Sequence, residues 1–194
     1  MTGRRIHPDW FEDLYRSRPD PWSFATSSYE AAKYTRTLAA LGPPERRFGR
    51  ALEAGCSIGV FTELLAPRCD ELVAIDASAT AVARTSERLR GLPHVRVERR
   101  TLPEELPPGP FDLIVCSEIL YYWSADLLRD LLAALASTLA PGGALVAVHW
   151  RPATRTYPLR GDDVHWILSE SPGLVHAFGE GEPRYLIDRY ERAR

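Results

Sequence analysis

The chain has 194 residues, of which 45% are hydrophobic and 26% are charged, and these proportions are typical of a globular domain with a real core. Its 24 basic and 26 acidic residues leave a net charge of −2. A charge this small argues against partners such as nucleic acid or an anionic membrane surface.

The cysteines and the N-terminal segment indicate in which cellular compartment the protein is expected. Cys56, Cys69 and Cys116 are too few and too scattered for a disulfide framework or a zinc site, so we expect no metal. The N-terminus lacks a secretion signal, and no apolar run is long enough to span a bilayer. We therefore expect one reduced, soluble, cytoplasmic domain over residues 1–194. Nothing in the sequence indicates its oligomeric state.

In chain order, the pattern predicts a helical cap, an α/β core and a C-terminal hairpin. The cap or lid covers residues 1–47, with helices at 9–16 and 28–41. The core covers 48–150, with strands at 51–54, 71–76, 94–99, 111–117 and 144–150 and helices at 60–66, 79–90 and 125–139. Residues 151–194 contain a helix at 162–169 and two extended runs around 179–181. The fold class predicted is α/β, a Rossmann-like doubly wound sheet, mostly parallel, with an antiparallel C-terminal hairpin strand.

The loop after the first strand, EAGCSIG at 53–59, is rich in glycine where ligands of open parallel sheets bind. It lacks the dinucleotide fingerprint, because Ser57 and Val60 stand where glycine and glycine or alanine are required. Glu53 would repel a diphosphate in a partly desolvated cleft and attract an ammonium or sulfonium group. An NAD-type oxidoreductase is therefore disfavoured.

A second acid, Asp76, ends the second strand 21 residues after Gly55, a spacing suited to accepting hydrogen bonds from ribose hydroxyls. A ligand with a ribose, a cationic end and no phosphates satisfies both acids, and S-adenosylmethionine is such a ligand. Simpler interpretations stay open. Gly55 and Gly59 would then only permit a tight turn, Glu53 would be a solvated surface acid, and Asp76 would be a charge at a helix N-terminus.

Several segments together resemble known enzymes. The motifs EAGCSIG, VAIDAS, FDLIVCSEILYYW and LAPGG resemble class I S-adenosylmethionine-dependent methyltransferases over about residues 48–150. The segment FEDLYRSRPDPWSFATSSYEAAKYTRTLAAL, with GCSIGVFTELLA and SEILYYW, resembles the NodS-type N-methyltransferases. Those enzymes methylate the free amine of a deacetylated chitooligosaccharide.

This resemblance implies a cofactor site residue by residue, with S-adenosylhomocysteine as the product. The methionine end would be lined by the loop residues Glu53, Gly55, Cys56, Ser57 and Gly59. The ribose would meet Asp76, the adenine would meet Ala77, Ser78, Thr101 and Leu102, and the transferable methyl group would lie over Ser117. The wider class often has an acid after the third strand, whereas this chain has Arg99, Arg100 and Thr101 there.

Methyl transfer is an in-line displacement that needs a neutral nucleophile held close to the methyl group. Glu118, directly after the fourth strand, is predicted to orient an amine and to stabilise the charge on the product, the alternative being a helix cap or surface acid. Tyr122 would bond a sugar hydroxyl or merely pack. His149, at the end of the fifth strand, is a candidate general base or a satisfied core histidine.

The cap is dense in aromatic residues, which either cover the core or form a lid. Trp22 and Tyr29 are predicted to close over the cofactor or stack on a sugar face. Lys33 lies one helical turn after Tyr29, where it could bind the cofactor's carboxylate. The alternative for Lys33 is an exposed ion pair with Glu30.

Taken together, these features predict an S-adenosylmethionine-dependent enzyme that methylates a free amine of an amino sugar, a deacetylated oligosaccharide or a related metabolite. The alternatives are a small-molecule O-methyltransferase and a non-catalytic S-adenosylmethionine-binding module. The residues do not identify the acceptor.

Overall fold

A computed structural model describes residues 4–193 of the protein. They form two compact units, an N-terminal unit (His7–Thr101) and a C-terminal unit (residues 4–6 and 102–193). The predicted ends of the cap and the hairpin at residues 1–3 and 194 lie outside the described residues. The division into a cap, a core and a C-terminal region of one domain stays a prediction.

The N-terminal unit has four α-helices and three strands: α1 (Pro8–Ser17), α2 (Ser28–Ala40), β1 (Phe48–Ala54), α3 (Val60–Leu65), β2 (Cys69–Asp76), α4 (Ala79–Arg88) and β3 (Val95–Arg99). The strands are parallel, with β2 between β1 and β3. Four consecutive residues at the end of β1 and five at the end of β2 are buried, as expected for strands covered on both faces.

Side-chain caps fix where two of these helices begin. Ser27 accepts a hydrogen bond from the Glu30 N–H at the start of α2, and Ser78 accepts one from the Ala81 N–H at the start of α4. Such caps satisfy N–H groups that have no partner inside the helix. The cap of α4 matters for the site because Ser78 is the second residue after the end of β2.

The C-terminal unit has two helices and four strands: β4 (Phe111–Ser117), α5 (Ala125–Thr138), β5 (Leu139–Trp150), α6 (Gly161–Ser169), β6 (Leu174–Gly181) and β7 (Tyr185–Arg192). A 3₁₀ turn (Leu120–Tyr122) follows β4. Strands β4 and β5 are parallel, and β7 lies antiparallel between β5 and β6. The predicted hairpin is therefore present, with its second strand in the inner position.

Two predicted boundaries in this unit were wrong. The hairpin turn lies at residues 182–184 instead of 179–181, because Gly179 and Gly181 pair with β7 and Pro183 cannot donate a ladder hydrogen bond. Strand β5 begins at Leu139, where a helix end was predicted, because Leu139 pairs with Phe111 across an irregularity in the register.

Of the helices within residues 4–193, the longest is α5, with 14 residues, and none is long and apolar enough to cross a bilayer.

Candidate functional site

The loop between β1 and α3 is held in an unusual backbone conformation. Gly55, Ser57 and Gly59 have φ angles of +78°, +54° and +79°. Glycine adopts a left-handed conformation without strain, whereas at Ser57 the conformation is adopted by a residue with a side chain. A Cβ atom on Gly59 would also lie 2.8 Å from Thr85 Cγ2 of α4. The glycines therefore permit both the turn and the close approach of α4.

Backbone hydrogen bonds fasten this loop to the end of β2. The N–H groups of Gly55 and Cys56 both donate to the carbonyl of Ile75, at 2.8 and 2.9 Å. Cys56 is buried, and burial raises the pKa of its thiol well above the ordinary value. The thiol is therefore a neutral packing group under ordinary conditions.

Asp76 connects the loops that follow β1 and β2. Its Oδ2 accepts a hydrogen bond from the Ser57 N–H at 3.0 Å, and its Oδ1 accepts one from the Ser78 N–H at 2.9 Å. Burial raises the pKa of Asp76 to about 6, although these backbone donors oppose the rise. The carboxylate has about four acceptor positions, so these backbone donors leave room for a ligand hydroxyl to donate to it.

Glu53 is the least compensated charge in this region. The residue is 3% exposed, and its Oε2 has no hydrogen-bond partner among the described residues. Burial raises the pKa of Glu53 to about 7; the hydroxyl of Thr62 opposes this rise and the negative charge of Asp76 adds to it. The interpretation of Glu53 as a solvated surface acid was wrong. A buried carboxylate oxygen in this situation can accept a hydrogen bond from a cationic or other donating group.

Helix α1 supplies two residues that the sequence analysis did not assign. The hydroxyl of Tyr15 donates to Ser57 Oγ at 2.7 Å. Glu12 accepts hydrogen bonds from Ser78 Oγ and from the Thr80 N–H and Oγ1, at 2.7, 3.1 and 2.6 Å. These bonds lower the pKa of Glu12 to about 2. The i,i+3 spacing of the two residues, which places both on one face of α1, was the available signal.

The aromatic residues of the cap lie in the same unit as this loop. The ring of Trp22 packs edge-to-face on Tyr15, with centroids 5.6 Å apart, and belongs to a cluster that contains Ile58 of the loop. Trp22 therefore contacts the surroundings of the glycine-rich loop. Whether it closes over a cofactor stays a prediction.

Lys33 and Tyr29 lie together on α2. The Nζ of Lys33 is 2.9 Å from a carboxylate oxygen of Glu30 and 5.5 Å from the centre of the Tyr29 ring. The ion pair expected as an alternative exists, but it is not exposed, because Lys33 is only 2% exposed. A buried ion pair is maintained only when both charges are well compensated. Binding of a ligand carboxylate by Lys33 stays a prediction.

The predicted adenine contacts divide between the two units. Ala77, whose carbonyl accepts a hydrogen bond from Arg99 Nε at 3.2 Å, and Ser78 follow β2, and Thr101 follows β3. Leu102 belongs to the C-terminal unit, where it is buried and its carbonyl accepts a hydrogen bond from Arg5. The N-terminal unit alone thus brings together the predicted ligands of the methionine end and the ribose.

Glu118 is the focus of polar contacts in the C-terminal unit. It follows Ser117, the half-buried last residue of β4, and has a φ angle of +58°. Its Oε2 accepts hydrogen bonds from the Tyr121 hydroxyl at 2.6 Å and the Trp150 N–H at 2.9 Å. The carboxylate is thereby held between the end of β5 and the 3₁₀ turn. Tyr121 was not among the predicted site residues.

His149 is fully buried at the end of β5. Its Nε2 accepts a hydrogen bond from the Leu120 N–H at 3.1 Å, and its Nδ1 is 3.1 Å from His165 Nε2. The one lone pair of the neutral ring is therefore engaged by a backbone donor. A role as general base stays a prediction, and it requires the bond to Leu120 to break.

Tyr122, predicted to bond a sugar hydroxyl or to pack, is buried. Its ring packs edge-to-face on Tyr121 and Tyr157, with centroids 4.9 Å away in both cases. This packing accounts for its burial. Across the part of the chain that the structure describes, no group of three His, Cys, Asp or Glu side chains could hold a metal ion.

The sequence is similar to known proteins of one family. The family described as Nodulation protein S (NodS) matches residues 12–154. Nodulation protein S of Rhizobium tropici is 36% identical over 150 residues, which cover 75% of this chain and 62% of that protein. The counterpart from Sinorhizobium fredii is 35% identical over 66% of this chain and 59% of its own length. The chain thus spans about 60% of the length of these relatives.

Solved structures match almost the whole chain. The crystal structure of the N-methyltransferase NodS from Bradyrhizobium japonicum WM9 in complex with S-adenosyl-L-homocysteine has a TM-score of 0.86 and 27% identity, covering 97% of this chain and 100% of that chain. Magnesium protoporphyrin IX methyltransferase from Synechocystis, at 18% identity and a TM-score of 0.72, shares the fold. The predicted Rossmann-like α/β fold is confirmed. The chain belongs to the Nodulation protein S (NodS) family.

Proposed function

We propose that this protein is an S-adenosylmethionine-dependent N-methyltransferase. The observation that carries the proposal is Glu53, a buried carboxylate with an oxygen that lacks a donor among the described residues. An amino acid ammonium group would supply the missing donor and the opposite charge. A diphosphate would instead be repelled by a carboxylate held in a low-dielectric environment.

The residues of the N-terminal unit fit the rest of this cofactor. Asp76 is already fixed by the N–H groups of Ser57 and Ser78, so its free lone pairs are oriented to accept ribose hydroxyls. Gly55 and Gly59 themselves carry no side chain, which favours close approach of a ligand to the backbone at these two positions. When bound, S-adenosylmethionine supplies a methyl group on a positively charged sulfur. Crystals of a NodS relative with S-adenosyl-L-homocysteine support the same assignment.

Glu118 is the residue that we assign to the acceptor amine. Because its Oε2 receives two hydrogen bonds, the side chain is held as an acceptor, suited to an ionised carboxylate. Such a carboxylate attracts an amine, orients its N–H groups and stabilises the positive charge that develops on nitrogen as the new N–C bond forms. The proton released afterwards passes to this carboxylate or to water.

Membership of the NodS family supports the choice of an amine as acceptor. We assign the acceptor class to the free amine of an amino sugar, a deacetylated oligosaccharide or a related metabolite, and we place the reaction in the cytoplasm, where the cofactor is made. A small-molecule hydroxyl acceptor is the second candidate, because Glu118 could also accept a proton from a hydroxyl group. A non-catalytic binding module would retain cofactor binding without turnover.

Calorimetry tests the cofactor assignment. We expect S-adenosylhomocysteine to bind and NADH not to bind. Because the ammonium group pairs with ionised Glu53, whose pKa is about 7 in the free protein, binding below pH 7 must release a proton. Affinity should therefore rise between pH 5.5 and pH 7 and then level off. Titrations in two buffers of different ionisation enthalpy measure the proton release directly.

The matched variants are Glu53→Gln and Glu63→Gln. Glu63 lies in the same unit but is exposed and pairs with Arg88. We expect Glu53→Gln to weaken binding by about 10- to 100-fold, because a charged hydrogen bond contributes about 1.5–3 kcal/mol, and to abolish the proton release. Equal affinity in the two variants, or binding of NADH, would contradict the assignment.

A radiolabelled-methyl assay tests the acceptor. The panel comprises amino sugars and chitooligosaccharides with a free amine, the same compounds N-acetylated, and small phenols. We expect turnover with the free amines alone. Glu118→Gln should lower kcat by about 100-fold, within the range for removing one electrostatic stabiliser, whereas Asp130→Asn on the exposed face of α5 should not. Turnover of phenols alone would favour the O-methyltransferase.

A further inference from the structure

A chain of four side chains runs through the C-terminal unit, starting at His149. His149 Nδ1 lies 3.1 Å from His165 Nε2 on α6. His165 Nδ1 lies 2.5 Å from Asp188 Oδ2 on β7, and Asp188 Oδ1 lies 2.8 Å from His176 Nε2 on β6. His149 and His165 are buried, whereas the side chain of His176 is 52% exposed.

The donor and the acceptor of each hydrogen bond between His149 and Asp188 can be assigned, because the Leu120 N–H at one end of the series can only donate and the Asp188 carboxylate at the other end accepts. The Leu120 N–H can only donate, so Nε2 of His149 accepts and its proton is on Nδ1. That proton is donated to Nε2 of His165, which therefore carries its own proton on Nδ1. The last bond is donated to Asp188, whose pKa is lowered by the two histidines that face it although burial opposes this.

Through its hydrogen bond with the Leu120 N–H, the Nε2 atom of His149 fixes the backbone of the 3₁₀ turn next to Glu118. Leu120 opens the 3₁₀ turn, and the next residue, Tyr121, donates its hydroxyl to Glu118. The neighbours of His149 on β5 complete the arrangement. The carbonyl of Val148 accepts from the Glu118 N–H at 2.8 Å, and the N–H of Trp150 donates to its carboxylate.

We propose that His165 and Asp188 are positioning residues for the methyl-transfer reaction, because they fix the tautomer of His149 that anchors the turn orienting Glu118. In the other tautomer, the Nε2–H of His149 would face the Leu120 N–H, and two buried donors would be opposed without an acceptor. His149 acts in this arrangement as a hydrogen-bond acceptor for the backbone and not as a base. The inference rests on the proposed function of Glu118.

The first test separates the tautomers without reference to activity. Nitrogen-15 NMR of labelled imidazole rings should give a protonated Nδ1 and an unprotonated Nε2 for both His149 and His165. The amide of Leu120 should exchange slowly in the wild type and at least about tenfold faster in His165→Leu. A protonated Nε2 on His149, or an unchanged Leu120 amide in a folded His165→Leu variant, overturns the proposal.

The second test uses matched substitutions at His165. Glutamine retains an acceptor for the His149 Nδ1–H, whereas leucine does not. We expect His165→Leu to lower kcat by about 10- to 100-fold, the size of an effect from an unpaired buried polar group, with little change in the KM for S-adenosylmethionine. His165→Gln should restore most of the lost activity. Equal losses in two folded variants overturn the proposal.

Substitutions at His149 distinguish positioning from base catalysis. Glutamine keeps an acceptor for the Leu120 N–H but cannot accept and pass on a proton as a base does. His149→Gln should therefore be much more active than His149→Leu, and equal inactivity of these two variants overturns the proposal in favour of a base. If the wild-type protein shows no turnover with any acceptor, the proposed function has failed, while the NMR result still decides the tautomer.

Discussion

One carboxylate in the N-terminal unit and two in the C-terminal unit differ in how their charges are compensated. In the N-terminal unit, Glu53 has an oxygen without a hydrogen-bond partner among the described residues, and burial raises its pKa to about 7. In the C-terminal unit, Glu118 receives two hydrogen bonds on one oxygen, and Asp188 receives one from His165 and one from His176. The first arrangement lacks a charge that a ligand can supply, and the second is already ordered from within.

This difference predicts opposite dependences of stability on pH. A carboxyl group whose pKa is raised by folding stabilises the folded state below its unfolded pKa, and that contribution is lost as pH rises through the folded pKa. Glu53 belongs to this class. Asp188 has a lowered pKa, so its contribution is present above its ordinary value of 3.8 and is lost as pH falls.

The largest expected effect is a gain in stability for Glu53→Gln. Raising the pKa from 4.5 to about 7 corresponds to about 3 kcal/mol of lost folding free energy once the pH is above 7. The ligand-free variant should therefore be more stable than the wild type by up to about 3 kcal/mol at pH 8 and equally stable at pH 4. Urea unfolding at the two pH values measures this difference.

Glu63→Gln again serves as the control, since this exposed side chain should change the unfolding free energy by less than about 0.5 kcal/mol. A Glu53→Gln variant that is less stable than the wild type at pH 8 would mean that the carboxylate is already compensated, and the contrast between the units would disappear.

The opposite sign is expected for Asp188→Ala in the C-terminal unit. This change leaves the Nδ1–H of buried His165 without its acceptor, which costs about 2 kcal/mol at pH 8. The loss should shrink as the pH falls below 3.8, because Asp188 takes up a proton first in the unfolded chain, and it should vanish once the pH is below the lowered pKa of the folded protein. Asp130→Ala on α5, which is exposed, is the matched control and should be nearly neutral. A loss that persists unchanged in acid would contradict the role of the charge.

The fold was largely predictable because its signals are local. Strand β4 begins and ends where the consecutive apolar run predicted, at Phe111 and Ser117. The hairpin was predicted, but its turn was placed on glycines that belong to β6, because glycine alone does not distinguish a turn from a strand in close contact with its partner. At Gly179 that contact is the Asp188 carboxylate, 2.6 Å from where a Cβ would lie.

The candidate cofactor residues were predictable because they lie at strand ends with a known spacing. Glu53 is the next-to-last residue of β1, and Asp76 is the last residue of β2. The structure brings both beside the glycine-rich loop. The spacing of Glu12 and Tyr15 predicts that they share a face of α1, but their partners were not predictable, because these contacts join distant parts of the chain. Glu12 lies 68 positions before Thr80, and no periodicity in α1 specifies that partner.

A smaller effect is expected for Glu12→Gln, which tests whether α1 fixes the start of α4. The carboxylate accepts three hydrogen bonds there, but it is only half-buried, so we expect a loss of about 1 kcal/mol at pH 7. Because the folded pKa is lowered to about 2, the loss should persist down to about pH 4 and disappear toward pH 2. Asp13→Asn, exposed on the same helix, is the control.

The smallest effect is expected for Tyr15→Phe, which removes the hydroxyl that donates to Ser57 Oγ at 2.7 Å. Ser57 is half-buried, so water can replace the lost donor, and the unfolding free energy should fall by about 0.5–1 kcal/mol. The ring itself remains packed on Trp22.

If the loop conformation depends on this bond, S-adenosylhomocysteine should bind several-fold more weakly by calorimetry although the protein stays folded. Unchanged affinity would mean that Asp76 and the glycines alone maintain the loop, and that the open polar site of the N-terminal unit does not depend on α1.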